Sequence, residues 1–228
     1  MKGVMAMGEL WPVELFDPAA DVEIVERNLP HWSQAGTITF ITFRTHDSLP
    51  TAVIERWLSQ RDAWLRQHDI DASRPDWKRQ LSKLDSRLAR EFRDAFWNRW
   101  HDALDSCHGN CELRNAKLAK IVADSLQHFD DVRYQLVDYV VMPNHVHLLC
   151  SFANATDMLA QCDSWKHFTA VQINRQLGRS GRLWQQDAFD HLVRSEEQFQ
   201  FLRHYIAANP TQAQLQTGEF LHYSRPQP

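Results

Sequence analysis

The chain has 228 residues, of which 43% are hydrophobic and 24% charged, with a formal net charge of −4. That length allows one large domain with an insertion, or two small ones, and no apolar run approaches the roughly 20 residues that span a bilayer. The negative balance argues against non-specific coating of nucleic acid, and the start, MKGVMAMGELWPVELF, has no apolar signal-peptide core, which points to the cytoplasm.

In chain order, residues 1–28 form an acidic extension, with six carboxylates and no Lys or Arg between Glu9 and Glu26. GTITFITFRT (Gly36–Thr45) alternates, is rich in Thr, Ile and Phe, and reads as the first strand. Helical spacing of Ile54, Trp57, Leu58, Trp64 and Leu65 predicts an amphipathic helix after Pro50. A second helical stretch runs from Pro75 to Leu104, with Trp77, Leu81, Leu84, Leu88, Phe92, Phe96 and Trp100 near every fourth position. Its aromatic stripe is either core packing or an arm against nucleic acid. A helical insertion is placed at about 69–104. The loop that follows holds Cys107, His108 and Cys111, which could begin a zinc site only with His101 as a contrived fourth ligand.

AKLAKIVADSLQHF is the next helix, followed by two strands, VRYQLVDYVVM and HVHLLCSF, joined at Pro143-Asn144. DMLAQCDSWKHFTAVQINRQL is helical, Phe189–Val193 a short strand, and EEQFQFLRHYIAANP a helix that Pro210 should stop. A polar tail, 216–228, closes the chain. Strand, helices, strand, strand, helix, strand, helix is an α+β order: a ferredoxin-like antiparallel sheet with helices inserted into the first crossover. In it the first and third strands are central, two crossover helices cover one face, and the final helix lies over the other.

The third strand carries VVMPNHVHLL (Val140–Leu149). Strands alternate faces with period two, so His145 and His147 share one side. They are either a metal-ligand pair awaiting further ligands or a chance pair on a polar sheet face. Tyr205 and Asn209, four apart in RHYIAANP, share a helix face. Asn209 is either an oxygen ligand or a cap before Pro210.

VVMPNHVHLL with YIAANP some sixty residues later resembles the REP-associated tyrosine transposases, a branch of the single-tyrosine HUH nucleases. The likeness extends over roughly residues 29–215, taken as one HUH transposase-like domain, and includes SWKHFTAVQINR and LWQQDAFDHLVRSEEQF. One departure is TQAQL after Asn-Pro, with Gln214 where the family carries Gly. The resemblance implies a metal-dependent enzyme that cuts and rejoins single-stranded DNA at hairpins, as a monomer and without a membrane. Tyr205 would be the nucleophile, forming a 5′-phosphotyrosine. His145, His147 and Asn209 would hold Mg²⁺ or Mn²⁺, although imidazole pairs also suit Zn²⁺. Lys166 matches the family's SWK stretch as a phosphate contact, against the plainer reading of a solvated lysine. Arg194 is a weaker candidate of that kind, and Trp184 is either a base-stacking residue or a core one. The alternative reading is a hairpin-DNA-binding protein of the same fold that does not cut.

Overall fold

The computed structural model describes residues 14–17, 19–26, 30–74, 76–81, 83–92, 95–96 and 103–226. Residues 1–13, which open the acidic extension, lie outside the described residues, as do Trp100 and His101. In chain order the elements are strands β1 (Glu23–Glu26), β2 (Pro30–Ser33) and β3 (Ile38–Arg44) and helices α1 (Thr51–Gln67), α2 (Trp77–Leu81), α3 (Ser86–Phe92) and α4 (Ala116–Gln127). Then come β4 (Tyr134–Val141), β5 (His145–Phe152), α5 (Ala155–Gln176), β6 (Phe189–Leu192), α6 (Glu196–Gln212) and β7 (Leu221–Ser224).

The chain divides into two compact units, the first being residues 1–46 with 112–228 and the second Asp47–Cys111. The first is built on a five-stranded antiparallel sheet of order β6-β3-β5-β4-β7. The α+β, ferredoxin-like arrangement expected from the sequence is therefore present, with β3 and β5 central. A separate two-stranded hairpin pairs β1 with β2.

Period-two alternation gives the sheet two apolar faces. Ile41, Phe43, Val146, Leu148, Leu136 and Tyr139 pack with α4 and α5 residues such as Val122, Leu126 and Trp165. Ile38, Phe40, Val140, Met142 and Leu149 pack instead with Phe199, Leu202 and Ile206 of α6. Side-chain caps start these helices: Asn115 accepts from the Lys117 amide, Asn154 from Asp157, and Ser195 from Gln198. Glu196 and Glu197 in the first turn of α6 complement its dipole.

A bulge in β4 gives the α6 face its charge. Leu136 pairs with Cys150, but the next paired residue, Asp138, sits opposite Leu149, so Val137 is the extra residue. Without it Asp138 would share the face of Leu136 and enter the α4/α5 core. The bulge turns Asp138 beneath α6, where the Arg203 guanidinium donates to its carboxylate from Nε at 2.6 Å.

Three expectations are corrected here. The sequence 75–104 does not form one helix: α2 ends at Leu81 and α3 begins at Ser86, because the Asp85 carboxylate accepts from the Arg87 and Leu88 amides and starts a new helix. Pro210 does not stop the last helix. α6 continues to Gln212, with Ala213 N–H bonded to Asn209 C=O, so the proline removes one internal bond instead of ending the helix. The polar tail contains β7, which pairs with β4 from Asp138–Ser224 to Val141–Leu221.

In the second unit the aromatic stripe packs on itself. Trp64 lies 5.1 Å from Phe92, Phe92 lies 5.0 Å from Phe96, and Trp57 Nε1 donates to Phe96 C=O at 3.0 Å. The ends of this unit meet where the Asn110 amide donates to the Asp47 carboxylate at 2.8 Å. Gly109, at φ +88°, sits so close that an added Cβ would lie 2.6 Å from the Asp47 carbonyl oxygen. Cys111 Sγ donates to the Cys107 carbonyl.

Candidate active site

His145 and His147 stand on the α6 face of β5, as period two requires, and both are fully buried. Their ring centroids are 4.5 Å apart at 68°, and their ligand nitrogens lie within 4.8 Å of one another. Two nitrogens that share one ion each sit roughly 2 Å from it and hence no more than about 4 Å apart, so this pair needs at most a small closure to share one. Thr42, directly opposite His147 in the β3–β5 register, places its hydroxyl 2.7 Å from His147 Nδ1. Asn144, in the two-residue turn before β5, places Oδ1 2.7 Å from His145 Nδ1. Phe40 stacks on the His147 ring with centroids 5.3 Å apart.

The α6 helix supplies the rest. Tyr205, half-buried, brings its hydroxyl to 3.3 Å from His147 Nε2, with ring centroids 5.2 Å apart. Asn209, one turn further along the same face, is fully buried. A phenol from α6 thus meets the imidazole face of β5, with a buried amide one turn further along the same helix. Two buried imidazoles and a neutral amide oxygen are donors that suit a divalent cation, so the residues fit a metal.

The other sequence-derived candidates lie apart from this cluster. Lys166 is on α5, which covers the opposite sheet face, and its ammonium donates to the Gln186 carbonyl at 2.5 Å with Asp163 at 3.4 Å. Arg194 is exposed just before α6, its guanidinium 5.8 Å from the centre of the Phe16 ring. Trp184 is buried on the α5 face, donating to Thr169 Oγ1 at 2.8 Å and edge-on to Phe43. His191, on β6, is a residue that sequence reasoning missed. Its ring is 6.0 Å from Phe40, and burial, with Arg194 nearby, pushes its pKa down to about 4. Gln198 donates its amide to His191 Nε2 at 2.8 Å. Thr42 and Asn144 were also missed. Asn144 adjoins His145 in sequence, whereas Thr42 meets His147 only through the β3–β5 register.

Comparison with known proteins agrees with the motifs. The family model described as "Transposase IS200 like" matches residues 112–209. That segment contains His145, His147, Tyr205 and Asn209, and over these residues it agrees with the transposase resemblance drawn from the sequence. Among solved structures, one of a REP-associated tyrosine transposase bound to a REP hairpin matches at 15% identity. The match covers 79% of this chain and 70% of that one, with a TM-score of 0.36. No curated protein matches the chain. No helix among the described residues is long and apolar enough to cross a membrane.

Proposed function

We propose that this chain is a metal-dependent single-stranded DNA endonuclease and strand transferase that acts at hairpin DNA through a phosphotyrosine on Tyr205. The observation that carries the reading is the approach of Tyr205 Oη to His147 Nε2 at 3.3 Å. It brings a nucleophile-type side chain to a buried imidazole pair within the segment that matches the transposase family.

His145, His147 and Asn209 would hold Mg²⁺ or Mn²⁺, which would withdraw charge from a non-bridging oxygen of the scissile phosphate. Tyr205 Oη forms a bond to phosphorus as the P–O3′ bond breaks, leaving a 5′-phosphotyrosine and a 3′-hydroxyl. The proton lost by the phenol is matched by the proton gained at the departing 3′-oxygen. Phenols have a pKa near ~10, which makes phenolate a fair leaving group when a 3′-hydroxyl attacks in reverse. Phe40 and the α6 residues Leu202 and Ile206 keep the surroundings apolar, so charge at the phosphate is weakly screened. Arg194, exposed just before α6, would contact a backbone phosphate of the bound strand. Lys166, already bound to Gln186 and beside Asp163 on the opposite sheet face, is the weaker phosphate candidate.

The test is incubation with hairpin-tailed single-stranded oligonucleotides, with Mg²⁺, Mn²⁺ or EDTA, resolved on a denaturing gel. A covalent protein–DNA band that needs metal and vanishes in Tyr205→Phe supports the reading. Hairpin retention without any covalent band assigns the chain instead as a non-cleaving hairpin binder.

A further inference from the structure

We propose that Asn144 is a positioning residue that fixes the tautomer of His145, holding the ring with its Nε2 lone pair available to a divalent cation. The inference rests on the metal-dependent reading above. A neutral imidazole has one N–H, so only the other nitrogen can bind a metal. The ring therefore has to be told which nitrogen to protonate.

At His145 the instruction is specific. An amide oxygen has lone pairs and no proton, so Asn144 Oδ1 at 2.7 Å from Nδ1 requires Nδ1–H. The lone pair is then left on Nε2. His147 differs, because its Nδ1 partner is the Thr42 hydroxyl, which can donate or accept and so serves either tautomer. Asn144 is thus the residue whose chemistry chooses.

Turn geometry does not explain an asparagine at this position. Asn is often placed in turns for its tolerance of the left-handed region, but Asn144 does not adopt a positive φ. Its backbone is instead held by the Thr45 amide, which donates to Asn144 C=O at 2.8 Å, and the residue is fully buried. The amide is therefore rigid beside the ring it contacts. Partners of this kind orient metal-bound histidines and raise their basicity.

The experiment measures the His145 tautomer by ¹⁵N NMR in the metal-free full-length protein, and Mn²⁺ affinity without DNA. Wild type and Asn144→Asp, which keeps an acceptor oxygen, should show Nδ1–H and bind Mn²⁺ comparably. Asn144→Leu should mix the tautomers and weaken Mn²⁺ binding by about 10- to 100-fold while melting as a folded protein. A wild-type ring protonated at Nε2 overturns the proposal. So does a folded Asn144→Leu protein with unchanged Mn²⁺ affinity. If that variant does not fold, the wild-type tautomer and the Asn144→Asp affinity decide. A wild-type protein with Nδ1–H that binds no Mn²⁺ refutes the metal-dependent function instead, so the two failures are told apart.

Discussion

Removing the Arg203 guanidinium tests how the nucleophile's helix is held. Arg203 precedes Tyr205 by two residues and makes two bonds to Asp138, at 2.6 Å from Nε and 3.3 Å from the terminal nitrogen. The Asp138 side chain is 2% exposed and that of Arg203 17%. Arg203→Ala therefore leaves a carboxylate enclosed beneath α6 without its counter-charge. Breaking one partner of a buried pair costs roughly 3–5 kcal/mol, and the partly open Arg203 side admits water, which sets the value at about 3 kcal/mol. The remaining Arg203 bonds run to Ser224 Oγ in β7, near solvent, and to the part-buried Arg225 C=O. For a chain of this length that loss lowers the melting temperature by roughly 6–12 °C. Calorimetry or thermal circular dichroism measures it. Below the transition the variant should retain hairpin binding but form the Tyr205 adduct more slowly, because α6 is no longer held against β4. Replacing both partners, Asp138→Leu with Arg203→Met, should recover most of the stability, since the charge is gone as well. An Arg203→Ala protein within about 1 kcal/mol of wild type would refute the buried-pair reasoning.

Four further outcomes are expected. Tyr205→Phe should abolish the covalent adduct and leave hairpin binding near wild type, read by gel and by filter retention; an adduct that persists would move the nucleophile elsewhere. Alanine at His145 or His147 should remove cleavage and weaken Mn²⁺ binding while the protein stays folded, and full activity in EDTA would defeat the metal reading. Asn209→Leu should collapse cleavage with partial recovery at high Mg²⁺, whereas Asn209→Asp should bind metal at least as well; superimposable Mg²⁺ curves would discard Asn209 as a ligand. His191 has its folded pKa pushed down to about 4, so it is neutral in the fold where the unfolded ring takes a proton. Its contribution is present above about pH 6.5 and is lost as pH falls toward 4, by roughly 2 kcal/mol given a ring enclosed at Nδ1 but partly open at its edge. A His191→Gln protein should lose that part of its acid sensitivity in denaturant titrations at pH 7 and pH 4.5.

Much of the first unit was legible because its signals are local. Alternation in HVHLLCSF gives period two, which places His145 and His147 on one face, and the β3–β5 register then sets Thr42 opposite His147. The four-residue interval from Tyr205 to Asn209 likewise survives translation into a helix face. The failures came where a local signal competes with tertiary structure. Pro210 is a strong stop signal, yet buried packing of Ile206, Asn209 and Pro210 against the sheet carries α6 onward. Asp85 is a capping residue set within an apolar period of four, and the cap broke the long helix into two.

The β7 strand is settled by its partner. LHYS alternates partly buried Leu and Tyr with exposed His and Ser, but four residues of period two within a polar tail are a short strand signal. The bulge at Val137 turns Asp138 toward α6, Arg203 closes on Asp138, and the same guanidinium donates to Ser224 in β7. Arg225, one residue on, binds the Asp130 and Asp131 carboxylates and the Leu136 carbonyl. Tyr223 stacks on Tyr139 at 5.3 Å. The strand is thus specified by a bulge and by charges that lie up to 95 residues away along the chain. Those contacts join it to the helix that carries Tyr205. Cutting the chain before Leu221 should consequently loosen Arg203 and slow adduct formation, even though no residue after Asn209 enters the proposed chemistry. Unchanged adduct rates in the truncated, folded protein would show that the Asp138–Arg203 pair alone holds α6.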